Sequence, residues 1–174
     1  MNKILILAIL IGTSITSAFS QTTKTDSSYV IKLKDDMTNK VYFAPNRNFI
    51  LSNPESTKGF AVKAHITNDS TFGFITVKMV NIGSCNEKDE IIILFENGEK
   101  ITAKSWNEFN CEGKAYFDLS GADIQLLRTQ PMSKIRITNG RSHDSYTGDV
   151  KIKDKRYFIQ LFYSLDRKLS SELK

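Results

Sequence analysis

The segment Ile91-Ile92-Ile93-Leu94-Phe95-Glu96-Asn97-Gly98-Glu99-Lys100-Ile101-Thr102-Ala103-Lys104-Ser105 decides the fold class. Its five leading apolar residues are too few for a helix and rich in β-branched side chains, which suits a central strand buried on both faces. Asn97-Gly98 is the pair best fitted to a tight turn with two residues at positive φ. Ile101, Ala103 and Ser105 then alternate with Thr102 and Lys104, the period of a returning strand. The segment predicts a β-hairpin.

Cys85 lies before this hairpin and Cys111 after it, and they are the only cysteines in the chain. Paired, they tie the open end of the hairpin, with Trp106 and Phe109 placed to cover the bridge. The closed loop of about 27 residues contributes about 3–4 kcal/mol in the chain-entropy model. The rival is a redox or nucleophilic thiol. Neither cysteine belongs to a C-x-x-C pair or has a histidine nearby in sequence, so a structural disulfide is the expectation.

That pairing needs an oxidising compartment, and the N-terminus supplies the address. Met1-Asn2-Lys3 is a short positive start, Ile4 to Ile11 is unbroken apolar sequence, and Ala18-Phe19-Ser20 places small residues three and one before a cut after Ser20. This is the layout of a secretory signal peptide at residues 1–20, and its apolar run is too short to span a bilayer. No cysteine follows the cut, so the expectation is an exported chain, periplasmic or secreted, without a lipid anchor or a transmembrane segment. Residues 21–28 read as a flexible leader, and 29–174 as one domain. Losing Lys3 takes the formal net charge from +5 to +4, a modest excess that permits anionic partners without requiring them.

Period-two patterning continues along the domain. Tyr29–Lys34, Val41–Ala44 and Phe49–Leu51 read as short strands. Gly59 to Ile66 turns Phe60, Val62, Ala64 and Ile66 inward and Ala61, Lys63 and His65 outward. Asn68-Asp69-Ser70 marks a turn. Phe72 to Val80 carries apolar residues on both faces, so it reads as covered on both sides. Ala115–Leu119 is another strand, after which Ser120 resembles a helix N-cap with Asp123 three residues on. Ile124, Leu126 and Leu127 give a short apolar face before Pro131. Strands at Ile135–Ile137 and Thr147–Ile152 follow. The tail changes period: Tyr157, Phe158, Leu161, Phe162 and Leu165 draw one helical stripe, with Asp154 as its N-cap. The stripe is expected to pack on its own domain, the rival being a membrane-surface helix. These elements predict a mainly β fold: a single antiparallel β-sandwich with one short internal helix and a C-terminal amphipathic helix, the alternative being a partly closed β-barrel.

Chemistry-bearing patterns are sparse. His65 falls on an outward strand face. The loop Arg141-Ser142-His143-Asp144-Ser145 holds an imidazole, a carboxylate and two hydroxyls, the ingredients of acid–base work, although residues this close in sequence seldom reach triad geometry. There is no G-x-S-x-G elbow, H-E-x-x-H pair, calcium loop or phosphate-cradling glycine loop, so no cofactor or metal is expected. Alternation places Lys134, Arg136, Lys151 and Lys153 on the outward face of two paired strands, a candidate grip for an anionic glycan or headgroup. Without stacking aromatics on that face, nucleic acid fits poorly.

The segments Ile92–Glu99, Phe109–Gly113, Ala115–Phe117 and Lys134–Ile137 resemble small, uncharacterised exported proteins of Bacteroidetes-type bacteria. The resemblance covers the C-terminal half of the mature chain and implies a β-rich domain in the cell envelope. It brings no activity, so no functional residue is carried over. The expected function is a non-catalytic binding or interaction module of the bacterial cell envelope, its partner an envelope protein or glycan. The alternatives are a hydrolase of envelope polymers and a structural subunit that assembles through an exposed strand edge.

Overall fold

The computed structural model describes residues 30–67 and 72–172. The expected signal peptide at 1–20, the expected leader at 21–28, Tyr29 and the expected turn at Asn68-Asp69-Ser70 lie outside the described residues.

Among the described residues, ten strands and two α-helices form in the order β1 (Val30–Lys34), β2 (Val41–Pro45), β3 (Phe49–Ser52), β4 (Gly59–Thr67), β5 (Gly73–Val80), β6 (Glu90–Phe95), β7 (Lys100–Lys104), β8 (Lys114–Leu119), α1 (Gly121–Thr129), β9 (Met132–Thr138), β10 (Ser145–Asp149) and α2 (Tyr157–Glu172). The larger sheet runs β1-β2-β4-β5-β8 and the smaller β10-β9-β6-β7, and every pairing is antiparallel. β4 is long enough to take two partners on one side. β2 pairs with its end at Ile66–Thr67 and β3 with its start at Gly59–Val62. The sheets do not close on each other, which makes the fold β-sandwich-like and not a barrel.

The core is the meeting of the two inward faces. Phe60, Val62, Ala64 and Ile66 of β4 are buried, as are Ile75 and Val77 of β5 and Phe117 of β8; so are Ile91, Ile93, Phe95, Ile101, Ile135 and Ile137 of the smaller sheet. Each large side chain so buried is worth about 1.5–3 kcal/mol over leaving it in water. α1 begins in a capping box. The Ser120 hydroxyl accepts from the Asp123 N–H, and the Asp123 carboxylate accepts from the Ser120 N–H. Along α2, Phe158, Leu161, Phe162 and Leu165 are buried against the domain, so the stripe packs on its own core.

Several local expectations need correction. β5 is covered on one face only: Ile75, Val77 and Met79 are buried, while Val80 is 47 % exposed. Gly73 starts the strand tight against β4, and its two-sided apolar pattern arises because Phe74 packs sideways on the outer face. β6 is central, yet Ile92 and Leu94 on its outer face stay half-buried. The hairpin turn has positive φ only at Gly98 (+87°). The Gly98 N–H donates to the Phe95 carbonyl and the Phe95 N–H to the Glu99 carbonyl, the three-residue loop that ends in a left-handed glycine. β10 starts and ends earlier than its sequence pattern suggests. Asp154 does not cap α2: it ends a 3-10 turn at Ile152–Asp154, and α2 starts three residues later. Trp106 and Phe109 are more than half exposed, Trp106 against Tyr116 and Phe109 beneath the Arg141 guanidinium.

Candidate functional site

Of the three passages of chain between the sheets (β5 to β6, β7 to β8, and β8 through α1 to β9), the Cys85–Cys111 disulfide joins the first two. Beside it, Asn86 and Asn110 exchange backbone hydrogen bonds of 2.6 and 3.1 Å. All the buried polar side chains among the described residues (Asn86, Asp89, Ser105 and Asn139) gather around this crossing. The Asp89 carboxylate accepts from the Gly140 N–H (3.0 Å) and from Asn86 Nδ2 (3.0 Å), while its own N–H donates to Ser105 Oγ (2.9 Å). Asn139 Nδ2 donates to the carbonyls of Ile82 and Cys85, and its Oδ1 accepts from the N–H groups of Arg141 and Ser142. Gly140 is required there because a Cβ would lie 2.2 Å from the Glu87 carbonyl oxygen. These groups are satisfied by one another, as buried polar atoms must be. The cluster fastens three loops together.

The polar loop sits on top of this knot. Arg141 reaches Glu87 at 3.4 Å and lies 4.8 Å over the Phe109 ring. His143, at φ +60°, is exposed, and so is Asp144. Among the described residues no hydrogen bond joins the His143 ring to the Asp144 carboxylate. The loop spends its backbone on the Asn139 turn and assembles no acid–base pair.

His65 does lie on the outer face of the larger sheet, but it is not simply solvated. Its ring stacks flat on Phe74, with centroids 4.5 Å apart and planes 4° from parallel, and Tyr42 meets Phe74 edge-on. Burial, helped by the positive charge of Lys63, lowers its pKa to about 4. At neutral pH it is an uncharged aromatic.

The outer face of the smaller sheet is the arrangement with the most to offer a ligand. Strand register writes it as three rows. The first is Asp149, Lys134, Leu94, Lys100; the second is Thr147, Arg136, Ile92, Thr102; the third is Ser145, Thr138, Glu90, Lys104. The apolar pair Ile92 and Leu94 therefore runs down the middle with cations on both sides. Lys134 and Lys100 flank Leu94 at two strand spacings, about 10 Å apart. Ile92, Leu94, Lys100, Lys134, Arg136 and Thr147 line a shallow depression of about 270 Å³. Lys134 bridges to Asp149 at 2.6 Å. Such an exposed pair is worth about 0–1 kcal/mol, so it leaves Lys134 able to exchange partners. Arg136, Lys100 and Lys104 have no carboxylate within 4.0 Å among the described residues.

Of the four basic residues expected on one face, the structure places Lys134 and Arg136 together there. Lys151 and Lys153 lie beyond the end of β10, because β10 stops at Asp149, Val150 turns into the core and Lys153 belongs to the 3-10 turn. Lys100 and Lys104 take their place. Hairpin alternation already turned both of these outward; only the pairing of β6 with β9 brings them beside Arg136. Among the described residues no cluster of three or more histidine, cysteine or acidic side chains is arranged to hold a metal ion, and no helix is long and apolar enough to cross a membrane. Compared with known proteins, the chain matches no family model, no curated protein and no solved structure.

Proposed function

We propose that the protein is an exported, non-catalytic binding module of the bacterial cell envelope that holds an acidic glycan on the outer face of its smaller sheet. The observation that carries this reading is the row order around β6, in which cations at Lys134, Arg136, Lys100 and Lys104 bracket the half-buried Ile92 and Leu94. Carboxylate or phosphate groups spaced along a glycan suit cations about 10 Å apart, and the C–H face of a sugar ring suits the aliphatic floor. The lysine stems extend that floor while their heads stay in water. Export is supported by the Met1–Ser20 pattern, and an oxidising compartment by the disulfide. A scaffold fastened by a bridge and a buried polar knot keeps such a face preorganised.

The test is retention on immobilised polygalacturonate against a neutral glucan of similar length. Selective retention on the acidic polymer, weakened at least tenfold by Lys100→Glu/Arg136→Glu and declining with added salt, is expected. Equal retention on both polymers, or an unaffected double variant, overturns the reading.

A further inference from the structure

A second surface borders the basic face along the β10 edge, where the sandwich is open between β3 and β10. The hydrogen bonds Asn139 N–H to Asp144 O and Val150 N–H to Ser133 O, both 2.8 Å, bracket the β9–β10 ladder. In an antiparallel pair the bonded positions alternate. The N–H and C=O groups of Tyr146 and Gly148 therefore face β9, and those of Ser145, Thr147 and Asp149 face away. No hydrogen bond satisfies these outward groups among the described residues.

The edges at β8, β1 and β7 are guarded. The chain after β7 covers β8, with the Trp106 N–H on the Tyr116 carbonyl (3.0 Å) and the Tyr116 N–H on Asn107 Oδ1 (3.1 Å). β1 carries Lys32 and Lys34, and Lys168 Nζ occupies its Val30 carbonyl. β7 presents Lys100 and Lys104. β10 reads Ser-Tyr-Thr-Gly-Asp, with no lysine, proline or bulge to blunt it.

The seam beside this edge has a definite chemistry. A cleft of about 240 Å³ separates Ile50, Leu51 and Ser52 of β3 from Tyr146, Gly148 and Asp149 of β10. It adjoins another of about 320 Å³ that reaches Arg47 and Tyr157. Ile50 is 68 % exposed at the boundary of both. Arg47, Lys151 and Lys153 line the seam with no carboxylate within 4.0 Å among the described residues, and Asp149 is already held by Lys134. Asp154 is the remaining acid in the lining.

We propose that the β10 edge receives an extended acidic polypeptide segment as a fifth strand of the smaller sheet. The outward groups of Ser145, Thr147 and Asp149 supply the main-chain ladder, and alternate side chains of the guest fall on Ile50. Its carboxylates meet Arg47, Lys151 and Lys153. A second copy of this chain would bring a β10 with a single carboxylate, Asp149, to face three cations, so it satisfies them less well.

The probe is a blocked (Val-Glu)4 peptide, titrated into the 15N-labelled full chain with (Val-Lys)4 as the comparison. Expected are amide shifts at Ser145, Thr147 and Asp149, saturable for the glutamate peptide and at least tenfold weaker for the lysine one. Thr147→Pro removes an N–H that faces away from β9, so it abolishes binding while leaving the ladder intact. Lys151→Glu/Lys153→Glu changes two exposed side chains outside any strand and weakens binding at least tenfold, which keeps the test decisive if the proline variant fails to fold. Shifts confined to the Lys134–Arg136 face, or equal binding of both peptides, overturn the proposal. Concentration-dependent self-association lost in Thr147→Pro overturns it in favour of a second copy. Lys100→Glu/Arg136→Glu leaves this binding unchanged, so its outcome is separable from that of glycan retention.

Discussion

Replacing both cysteines, Cys85→Ala/Cys111→Ala, tests how the two sheets are held in register. The bridge spans 26 positions, a closed loop of about 27 residues, and the chain-entropy relation then gives about 3.5 kcal/mol lost at 25 °C. For a domain of this size each kcal/mol moves Tm by about 2–4 °C, so the midpoint falls by about 7–14 °C. The fold itself survives at 25 °C, because the crossing retains the Asn86–Asn110 backbone pair and the Asp89 hub. Cys111 is exposed and Cys85 half-buried, so a reductant reaches the bridge in the native state and reproduces the variant's midpoint without prior unfolding. The assay is thermal denaturation followed by far-UV circular dichroism, with and without reductant. A shift below about 2 °C refutes the reasoning, because the polar knot alone would then be fixing the crossing in the unfolded ensemble too. Loss of folded signal at 25 °C refutes it from the other side.

Asp89→Ala removes the acceptor of the half-buried Gly140 N–H and the oxygen acceptor of the buried Asn86 Nδ2, which keeps only the Met79 sulfur at 3.5 Å, at about 1–3 kcal/mol each. Chemical denaturation is expected to show a loss of about 2–4 kcal/mol, with Asp89→Asn recovering about half because it keeps one acceptor oxygen; an unchanged midpoint refutes the hub. His65 has a folded pKa of about 4 against 6.5 for the free group, so the fold favours the neutral ring. Its contribution is full above pH 6.5 and is lost as pH falls from 6.5 through about 4. Following its ring resonances by NMR is expected to give a midpoint near 4, and wild type is expected to lose more stability over that window than His65→Gln. A midpoint above 6 contradicts the stacked, desolvated geometry.

The mismatches between pattern and structure share one origin. Phe74 and Val80 looked like a second buried face on β5, yet a large apolar side chain also rests stably on an outer sheet surface when an aromatic neighbour such as His65 or Tyr42 covers part of it. Asp154 has the right chemistry for a cap two residues too early, because the 3-10 turn at Ile152–Asp154 takes up the chain between β10 and α2. The Asn97-Gly98 pair fixed the hairpin, while the loop length that it closes was decided by the bonds from Phe95 to Gly98 and Glu99.

By itself, the sequence determined the mainly β class, the β6–β7 hairpin, the Ser120–Asp123 cap, the buried stripe of α2 and the pairing of the only two cysteines. Each of these rests on a local period, a turn residue or a count. Tertiary structure alone decided that β6 lies between β7 and β9, and so that Lys100 and Lys104 join Arg136 and Lys134 around Ile92 and Leu94. It also decided that β10 ends at Asp149, leaving Lys151 and Lys153 beside an unguarded strand edge, and that loops more than fifty residues apart meet on Asp89. The physical reason is that alternation tells a strand which of its faces is inward but not which strand is its neighbour. Neighbours are chosen by non-local hydrogen bonds and core packing, and the candidate surfaces of this protein are made of neighbours.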